Sequence, residues 1–259
     1  MNINEMIGIY QDRLFILFPL TTWLIGVGGF FLFTIPLTWI AWKQPIWAEK
    51  YRIQVHKRLS EKIILPAIKY SFFNHLVALL VVTISWPLLR HSGIHTGELP
   101  AWYVILGQVV FFVYLDDFIY YWFHRAFHGK FLYRWVHSVH HRATVPWAIV
   151  ANYMHPIEFL VTITNVLLGP ALLGSHVVTL WIWVLFRQWI GAEGHCGYDF
   201  PWNPSRLFPF YEGTSYHDFH HAKFTGNYSG FTGYLDRFFG TRSPGYQKYL
   251  EAKENTGNK

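Results

Sequence analysis

Residues 102–128 read WYVILGQVVFFVYLDDFIYYWFHRAFH, an apolar run that ends directly in a pair of histidines. Before His124, the run carries no charge except Asp116 and Asp117. About 20 predominantly apolar residues are enough to cross the hydrocarbon core of a bilayer as a helix. His124 and His128 follow at a spacing of one helical turn, so both imidazoles share a face. This stretch predicts a membrane-spanning helix that ends in polar chemistry.

The composition of the whole chain is that of a membrane protein. Of its 259 residues, 52% are hydrophobic, 20% aromatic and 14% charged, whereas soluble domains have roughly 25% charged residues. The net charge is +6, but Lys and Arg lie mainly in short segments between apolar runs. This distribution favours lipid headgroups as partners and argues against nucleic acid. Cys196 is the one cysteine, so no internal disulfide forms and a metal must be held by imidazole or carboxylate.

Three further apolar segments predict the rest of the membrane domain. Residues 14–42 are uncharged and long enough to span, and residues 71–89 form a second run of spanning length. The block 157–186 is interrupted at Gly169-Pro170 and at Gly174. Because Pro and Gly weaken helices, this block predicts two shorter helices that form a hairpin. With the run that ends at residue 123, about four transmembrane helices are expected.

The loops between the spans predict the orientation. The segment between the first two spans carries seven basic residues, namely Lys43, Lys50, Arg52, Lys57, Arg58, Lys62 and Lys69. The loop 90–101 carries only Arg90. By the positive-inside rule, the first loop is cytoplasmic and the second is not. If the 157–186 hairpin enters and leaves on one side, segments 124–155 and 187–241 both lie on the cytoplasmic face.

Eight histidines lie in three related motifs. They are the pair His124 and His128, the His-x-x-His-His motif of His137, His140 and His141, and its repeat at His217, His220 and His221. On a helix, residues i, i+3 and i+4 share a face, so each motif is expected to direct several imidazole nitrogens at one volume. A lone histidine is usually structural, but this combination of motifs is rare by chance. The motifs therefore predict metal binding.

The number of ligands favours two ions. Catalytic zinc usually has three protein ligands and structural zinc has four, and the sequence lacks the zincin motif His-Glu-x-x-His. Imidazole binds Fe, Zn, Cu and Ni, so the ligands alone leave the element open. Two ions at the end of a membrane-embedded helical frame suit activation of O₂ and attack on a lipid C–H bond. The fold prediction is an all-α polytopic membrane protein, residues 1–259 in a single domain, with a cytoplasmic His-rich helical cap that holds a dimetal centre.

The chain resembles the fatty acid hydroxylase/sterol desaturase superfamily of membrane di-iron enzymes, which these three His motifs define in this order. Within it, the similarity is greatest to the C-4 methylsterol monooxygenase branch. The segments that carry the resemblance are 116-DDFIYYWFHRAFH-128, 137-HSVHHRATVPW-147, 155-HPIEF-159, 195-HCGYDFPWNP-204 and 217-HDFHHAKFTGNYSGFTGYLDRFFGT-241. Two departures, 152-NYM-154 in place of Glu-Tyr-Ala and Ile190 in place of Glu, are expected to affect substrate fit or ligand support.

The resemblance implies an activity and its partners. It implies oxidation of the C-4 methyl group of sterol intermediates with O₂ at two iron ions. Electrons would come from NAD(P)H through cytochrome b5 and its reductase. The substrate implies the endoplasmic reticulum membrane, or the inner membrane if the chain is bacterial.

The resemblance also implies further site residues. His195 matches a family histidine and is a ninth candidate ligand, whereas His155, which precedes Pro156, is either a ligand or the start of a helix. Three carboxylates are candidates for accepting imidazole N–H groups and so orienting the ligands. They are Asp117, Glu193 and Asp218. Asp117 stands out because a carboxylate within a membrane span is costly unless it is paired.

Other functions remain open. Within the enzyme class, the alternatives are a cholesterol 25-hydroxylase-like enzyme, a sterol C-5 desaturase and a fatty acid hydroxylase. A haem-binding membrane cytochrome would use single histidines on facing spans. A His-rich metal transporter would place ligands along a crossing pathway together with intramembrane carboxylates, and only Asp116 and Asp117 qualify.

Overall fold

The computed structural model describes residues 3–55, 57–58 and 60–257, which contain helices and isolated β-bridges but no strand. The α-helices are α1 (Ile3–Tyr10), α2 (Arg13–Phe15), α3 (Thr21–Lys43), α4 (Ile46–Glu49), α5 (Ile64–Ile84), α6 (Trp86–Leu89), α7 (Trp102–Phe127), α8 (Lys130–Trp135), α9 (Pro156–Leu172), α10 (Val177–Gly194), α11 (Thr214–Lys223), α12 (Tyr234–Phe238) and α13 (Pro244–Gly257). Four 3₁₀ segments are described, Glu61–Ile63, His137–Arg142, Ala148–Val150 and Pro204–Leu207, and one π-helical turn, Ile16–Leu20. The all-α prediction is confirmed.

Within the described residues, three helical segments are long and apolar enough to cross a membrane. They are Arg13–Lys43, Glu61–Ile84 and Trp102–Phe127, which contain α3, α5 and α7. Helix α9 is apolar but shorter. The structure therefore supports the membrane-protein class with three candidate spans, and the fourth predicted span is not confirmed.

The second span is displaced from its predicted position. Helix α5 begins at Ile64 instead of residue 71 and includes Lys69, because a long Lys side chain near a helix end can carry its charge to the interface. The helix ends at Ile84, and the separate short helix α6 follows with Pro87 in its first turn. Proline has no N–H with which to continue the preceding helix.

Of the two predicted interruptions in the block 157–186, the one at Gly174 lies in the turn and the one at Gly169-Pro170 does not. Gly169 and Pro170 are inside α9, and the chain turns at residues 173–176, where Gly174 has a φ of +53°. A proline removes one hydrogen bond from the helix, to the carbonyl four residues earlier. That carbonyl, on Val166, instead accepts a hydrogen bond from the Trp183 indole on α10 at 2.9 Å. The proline is tolerated because the neighbouring helix satisfies the freed group.

The two ends of the helical bundle differ in chemistry. At one end, the basic 43–69 segment joins the His-rich part of the chain, because Ile53 N–H donates to the Gly197 carbonyl at 3.1 Å. At the other end, the 90–101 loop lies against the start of α10, where Val177 N–H donates to the His95 carbonyl at 2.9 Å. The basic loop and the histidine motifs therefore share one end of the bundle.

Close packing of α7 against α9 provides a test of this arrangement. A Cβ atom added to Gly169 would lie 2.5 Å from Cδ1 of the buried Phe112 ring. We expect Gly169→Ala to lower the thermal midpoint of unfolding in detergent, because overpacking costs about 1–3 kcal/mol and the gain in helix propensity is only about 1 kcal/mol. Gly107→Ala on α7 is the control, since a Cβ there meets no atom within 4 Å. Equal midpoints for the two variants would contradict the α7–α9 packing.

Candidate metal centre

The nine histidines predicted as ligands converge into two adjacent groups. Group A consists of His124, His128, His137, His141 and His220, and group B consists of His140, His195, His217 and His221. Within each group, one nitrogen from every ring lies within 4.8 Å of the others. All of the rings are buried except the half-buried His128. Both groups therefore have the composition and convergence of a metal site.

Each His-x-x-His-His motif contributes to both groups. In 137-HSVHH-141, the outer two histidines join group A and His140 joins group B. In 217-HDFHH-221, the outer two join group B and His220 joins group A. The expectation that each motif serves one volume is therefore wrong, because positions i+3 and i+4 lie at least about 100° apart around a helix. The two motifs therefore interlock. Each motif gives two imidazoles to one group and one imidazole to the other.

The distances between ring nitrogens match those of a coordination shell. In group A, Nε2 of His137 lies 3.1 Å from Nε2 of His124 and 3.0 Å from Nε2 of His141. In group B, the Nε2 atoms of His217 and His195 are 3.1 Å apart. Metal–imidazole bonds of about 2.0–2.1 Å separate neighbouring donors by about 2.8–3.4 Å in octahedral or tetrahedral geometry. A cation between the nitrogens would therefore fit without a rearrangement of the rings.

The outer nitrogen, Nδ1, of most of these rings is held by a backbone carbonyl. The acceptors are the carbonyls of Tyr228 for His124 (2.6 Å), Tyr153 for His140 (3.3 Å), Gly191 for His195 (2.7 Å), Gly226 for His220 (2.8 Å) and Ala143 for His221 (3.1 Å). When Nδ1 carries the proton, Nε2 carries the lone pair. The backbone thus selects the tautomer that points a donor atom into each group.

Burial keeps the imidazoles in their neutral form. It lowers the pKa of His140 and His220 to about 4 and the pKa of His137 and His195 to about 3. For His221, burial and then the neighbouring imidazoles lower the pKa well below its usual value. A metal ligand must be deprotonated. These rings are therefore ready to bind a cation at neutral pH.

Among the described residues, no imidazole donates a hydrogen bond to Asp117, so its predicted role is wrong. Its carboxylate accepts hydrogen bonds from the backbone N–H groups of residues 230–232 at 2.9–3.1 Å and from the hydroxyl of Thr232. These contacts arise because Asp117 on α7 faces this loop and not the imidazoles. The same loop carries the Tyr228 carbonyl that accepts from His124. Asp117 therefore supports a candidate ligand indirectly, through the backbone.

Glu193 and Asp218 also have partners other than imidazoles, which corrects their predicted roles. Glu193 accepts hydrogen bonds from the hydroxyls of Tyr211 and Thr214, and Thr214 is the first residue of α11. Asp218 accepts from the Gln54 amide at 2.9 Å. Burial raises the pKa of both carboxyl groups to about 7. Both residues position chain segments that carry candidate ligands.

The carboxylate that does contact an imidazole is Glu158, which was not among the predicted site residues. Its Oε1 lies 2.7 Å from Nδ1 of His137, and both side chains are buried. Glu158 lies in the segment 155-HPIEF-159, which carries part of the family resemblance. However, a Glu in the first turn of a helix is usually explained by capping or by the helix dipole. Carboxylate–imidazole pairs of this kind orient metal ligands and raise their basicity.

His155 is at the start of a helix. Its Nδ1 accepts a hydrogen bond from the Ile157 N–H at 3.2 Å, as the N-cap of α9. It belongs to neither group of converging nitrogens. Of the two roles considered for His155, the structure shows the helix start.

A cavity leads to group B. Its volume is about 1260 Å³ including its mouth, and the group B histidines His140, His195 and His217 line it. None of the group A histidines does. Most of the remaining lining residues are apolar and come from α3, α5, α9 and α10. Mainly apolar spaces between helices are typical small-molecule sites, so the cavity has the character of a site for an apolar ligand. Group B faces this space, whereas group A lies behind it.

The departures from the family pattern are located at this cavity. Asn152, Met154 and Ile190 all line it. Asn152 and Met154 lie just before α9, and Ile190 lies on α10 one turn before Gly194. An effect of these three residues on substrate fit stays a prediction. Their positions in the cavity wall are consistent with such an effect.

Comparisons with known proteins agree with this site. The profile of the fatty acid hydroxylase family matches residues 109–241, slightly more than half of the chain and all nine clustered histidines. Methylsterol monooxygenase 2-2 of Arabidopsis thaliana is 36% identical over 241 residues, which cover 90% of this chain and 88% of that protein. The chain belongs to the fatty acid hydroxylase family.

Other relatives widen the range of activities in the family. Methylsterol monooxygenase 2-1 of Arabidopsis thaliana is 34% identical over 249 residues, covering 88% of this chain and 91% of that one. Very-long-chain aldehyde decarbonylase GL1-11 of Oryza sativa subsp. indica is 40% identical over 196 residues, 74% of each chain. No solved structure gives a significant match. This family member is a membrane oxidase of the sterol and lipid type, with a candidate metal centre that is consistent with iron. Aldehyde decarbonylases were not among the predicted alternatives.

The division of the histidines into two groups can be tested by counting metal ions. We expect purified protein loaded with ferrous iron to bind about two ions per chain, and His195→Ala to bind about one, because that change removes a donor from group B only. His155→Ala is the control and should keep both ions. The measurement is elemental analysis by mass spectrometry. Loss of both ions from His195→Ala in folded protein, or of one from His155→Ala, would contradict the assignment.

The role of Glu158 predicts a difference between two buried carboxylates. We expect Glu158→Gln to weaken metal retention by about 10- to 100-fold, as the loss of a carboxylate that orients a ligand does elsewhere. Glu193→Gln is the matched control, since Glu193 is buried but contacts hydroxyl groups. Both variants would be titrated with a chelator and their bound metal measured. Equal retention by the two variants would argue against a special role for Glu158.

Proposed function

We propose that this protein is a di-iron monooxygenase that oxidises the C-4 methyl group of a sterol intermediate with O₂. The main support is the mainly apolar cavity that opens onto group B, since it brings space for an apolar substrate to a cluster of candidate metal-binding nitrogens. The similarity to two methylsterol monooxygenases over about nine-tenths of the chain supports the choice of substrate.

The donor set fits iron. Group A offers five imidazoles, more than the four ligands of a structural zinc site, and group B offers four. Imidazole suits iron, and six-coordinate ions in these groups would keep open positions. Iron bound there would supply the reduction of O₂ and the oxidation of a substrate C–H bond.

The residues of the chain prepare the site for this reaction. The apolar walls of the cavity hold the lipid and exclude water. Backbone carbonyls and Glu158 hold the Nδ1 protons of six of the nine rings, so that their Nε2 atoms stay directed into the two groups. Conversion of a methyl group to an acid takes three oxygenations, through the alcohol and the aldehyde. Each consumes one O₂, two electrons and two protons. The first and third release one water each, and the second, which forms the aldehyde, releases two.

The proposed location follows from the two ends of the bundle. The seven basic residues of the 43–69 segment lie at the same end as the histidine groups, and the loop at the other end carries only Arg90. The positive-inside rule then puts the histidines on the cytoplasmic side. A sterol substrate favours the endoplasmic reticulum membrane, or the inner membrane in a bacterium.

Electrons are proposed to come from NAD(P)H through cytochrome b5 and its reductase. Four basic side chains are exposed near the histidine groups, namely Arg125, Lys130, Arg134 and Arg142. A basic surface of this kind would attract an acidic electron carrier and speed its association. Cytoplasmic Lys and Arg also follow from membrane topology alone, so the donor must be identified by reconstitution.

The test of the proposed function is complementation of a yeast strain that lacks its C-4 methylsterol oxidase, with extraction of sterols and mass spectrometry. Loss of the accumulated 4,4-dimethylsterol and recovery of ergosterol are expected. Persistent 4,4-dimethylsterol, with metal-loaded protein present in the membranes, would reject C-4 oxidation. The same extracts would then be searched for products of sterol side-chain hydroxylation, C-5 desaturation, fatty acyl hydroxylation and aldehyde decarbonylation.

Obstruction of the cavity provides a second test. Ala78 on α5 lines the cavity and is buried, whereas Leu80 on the same helix is 59% exposed. We expect Ala78→Phe to reduce sterol turnover by at least about 10-fold, since its ring would occupy substrate space, without loss of bound metal. Leu80→Phe should retain normal turnover. If Ala78→Phe turns sterol over as fast as Leu80→Phe, the substrate does not use this cavity.

A further inference from the structure

Arg187 is a charged side chain in the wall of the cavity for which the proposed reaction has no role so far. It lies on α10, where Arg187, Gln188, Gly191 and His195 all line the cavity. Its side chain is only 16% exposed. A guanidinium placed in a mainly apolar cavity is costly unless its donors find partners. The contacts that it makes therefore indicate what it is for.

Only part of the guanidinium is satisfied by the protein. Nε of Arg187 donates to Oδ2 of Asp116 at 2.9 Å, and the Asn165 amide donates to Oδ1 of the same carboxylate at 2.7 Å. Within the described part of the chain, neither terminal nitrogen of Arg187 donates a hydrogen bond to another residue. Arginine has five N–H donors in a rigid fork. The bond to Asp116 thus fixes the orientation of the Arg187 side chain, while its four terminal N–H groups remain available.

The terminal nitrogens lie close to group B. A Cβ atom on Gly191 would be 3.8 Å from Nη1 of Arg187, so Nη1 is beside Gly191. The Gly191 carbonyl accepts the Nδ1 hydrogen bond of His195, one helical turn further along α10. One turn is about 5.4 Å. The free donors are therefore at the metal end of the cavity.

Tyr120 adds a second polar group at the same place. It lines the cavity from α7, and the Arg187 guanidinium carbon lies 5.8 Å from the centre of its ring. Among the described residues, no hydrogen bond is formed by its hydroxyl. A mainly apolar pocket with a few convergent polar groups is the usual form of a site that orients its ligand.

We infer that Arg187, together with Tyr120, binds a neutral oxygen atom of the lipid substrate next to group B. The ion pair with Asp116 already neutralises Arg187, so a hydroxyl or carbonyl oxygen adds no buried charge, whereas an anion would. The inference rests on the proposed function for the nature of the lipid. In a sterol methylated at C-4, the oxygen is the 3-hydroxyl, on the carbon next to the one that carries the methyl group.

This arrangement defines a substrate class. A lipid held by an oxygen at the metal end of the cavity presents a carbon at or beside that oxygen for oxidation. A carbon in the middle of an unfunctionalised chain would not be presented in this way. Arg187 would therefore act as a specificity-determining residue that favours substrates already oxygenated near the reacting carbon.

The test compares binding of a 3-hydroxysterol with binding of its 3-deoxy analogue to the purified, metal-loaded protein. We expect the wild type to prefer the hydroxysterol by about 10- to 100-fold, the range for a hydrogen bond to a charged group. The double substitution Arg187→Met with Asp116→Asn removes both charges together, and we expect the preference to fall below about 3-fold with bound metal unchanged. Gln188→Met, at the adjacent cavity position, is the control and should keep the preference.

Two results would overturn the inference. Equal affinity of the wild type for both sterols would do so without any variant, and so would a preference that survives in the double variant. If the double variant does not fold, Arg187→Lys keeps the ion pair but loses the fork, and its preference should be several-fold below that of the wild type. An unchanged preference in Arg187→Lys would then overturn it.

A parallel pair of ligands separates this inference from the proposed sterol function. The second pair is a long-chain aldehyde and the alkane of equal length. If neither sterol binds but the aldehyde is preferred through Arg187, the sterol function fails and the inference holds. If both sterols bind and are oxidised with no preference for the 3-hydroxyl, the function holds and the inference fails. No preference within either pair rejects the role of Arg187.

Discussion

Nine neutral imidazoles, eight of them buried and with neighbouring Nε2 atoms about 3 Å apart, are the feature on which the rest of this structure depends. Lone pairs at this distance repel, and burial removes much of the water that would otherwise compensate. A shared cation removes the repulsion, and the backbone carbonyls that hold Nδ1 prevent the rings from turning away. The helical frame can be understood as the scaffold that makes such crowding possible, because α7, α10 and α11 fix the rings before a metal arrives.

Most of the buried carboxylates support the histidines indirectly, through other residues. Asp117 binds the backbone of residues 230–232, and the neighbouring Tyr228 carbonyl binds His124. Among the carboxylates of the described residues, only Glu158 contacts a candidate ligand directly. Backbone carbonyls are the more common acceptors for the imidazoles because they satisfy a ring N–H without burying another charge. The cavity then gives the two groups different surroundings, because group B faces the lipid space while group A is enclosed by protein.

Much of this protein could be predicted from its sequence. Apolar runs of spanning length and the His motifs are periodic signals, so they predicted the helical membrane class and eight of the nine clustered histidines. The ninth, His195, was predicted from the family resemblance. The division into two groups was not predicted, because it depends on which neighbouring helix each imidazole meets. Asp117 was misassigned for a similar reason, since a sequence shows that a buried carboxylate needs a partner but not which N–H it will find. The start of α5 was predicted too late in the chain, because the charge of Lys69 indicates a loop. In the structure, Lys69 lies within the helix.

The most direct test of the central claim is a crystal structure of the iron-loaded protein with anomalous diffraction measured at the iron edge. Two anomalous peaks per chain are expected, one among the five imidazoles of group A and one among the four of group B, with the group B peak next to the cavity. A single peak, or a peak coordinated by all three histidines of one His-x-x-His-His motif, would contradict the account.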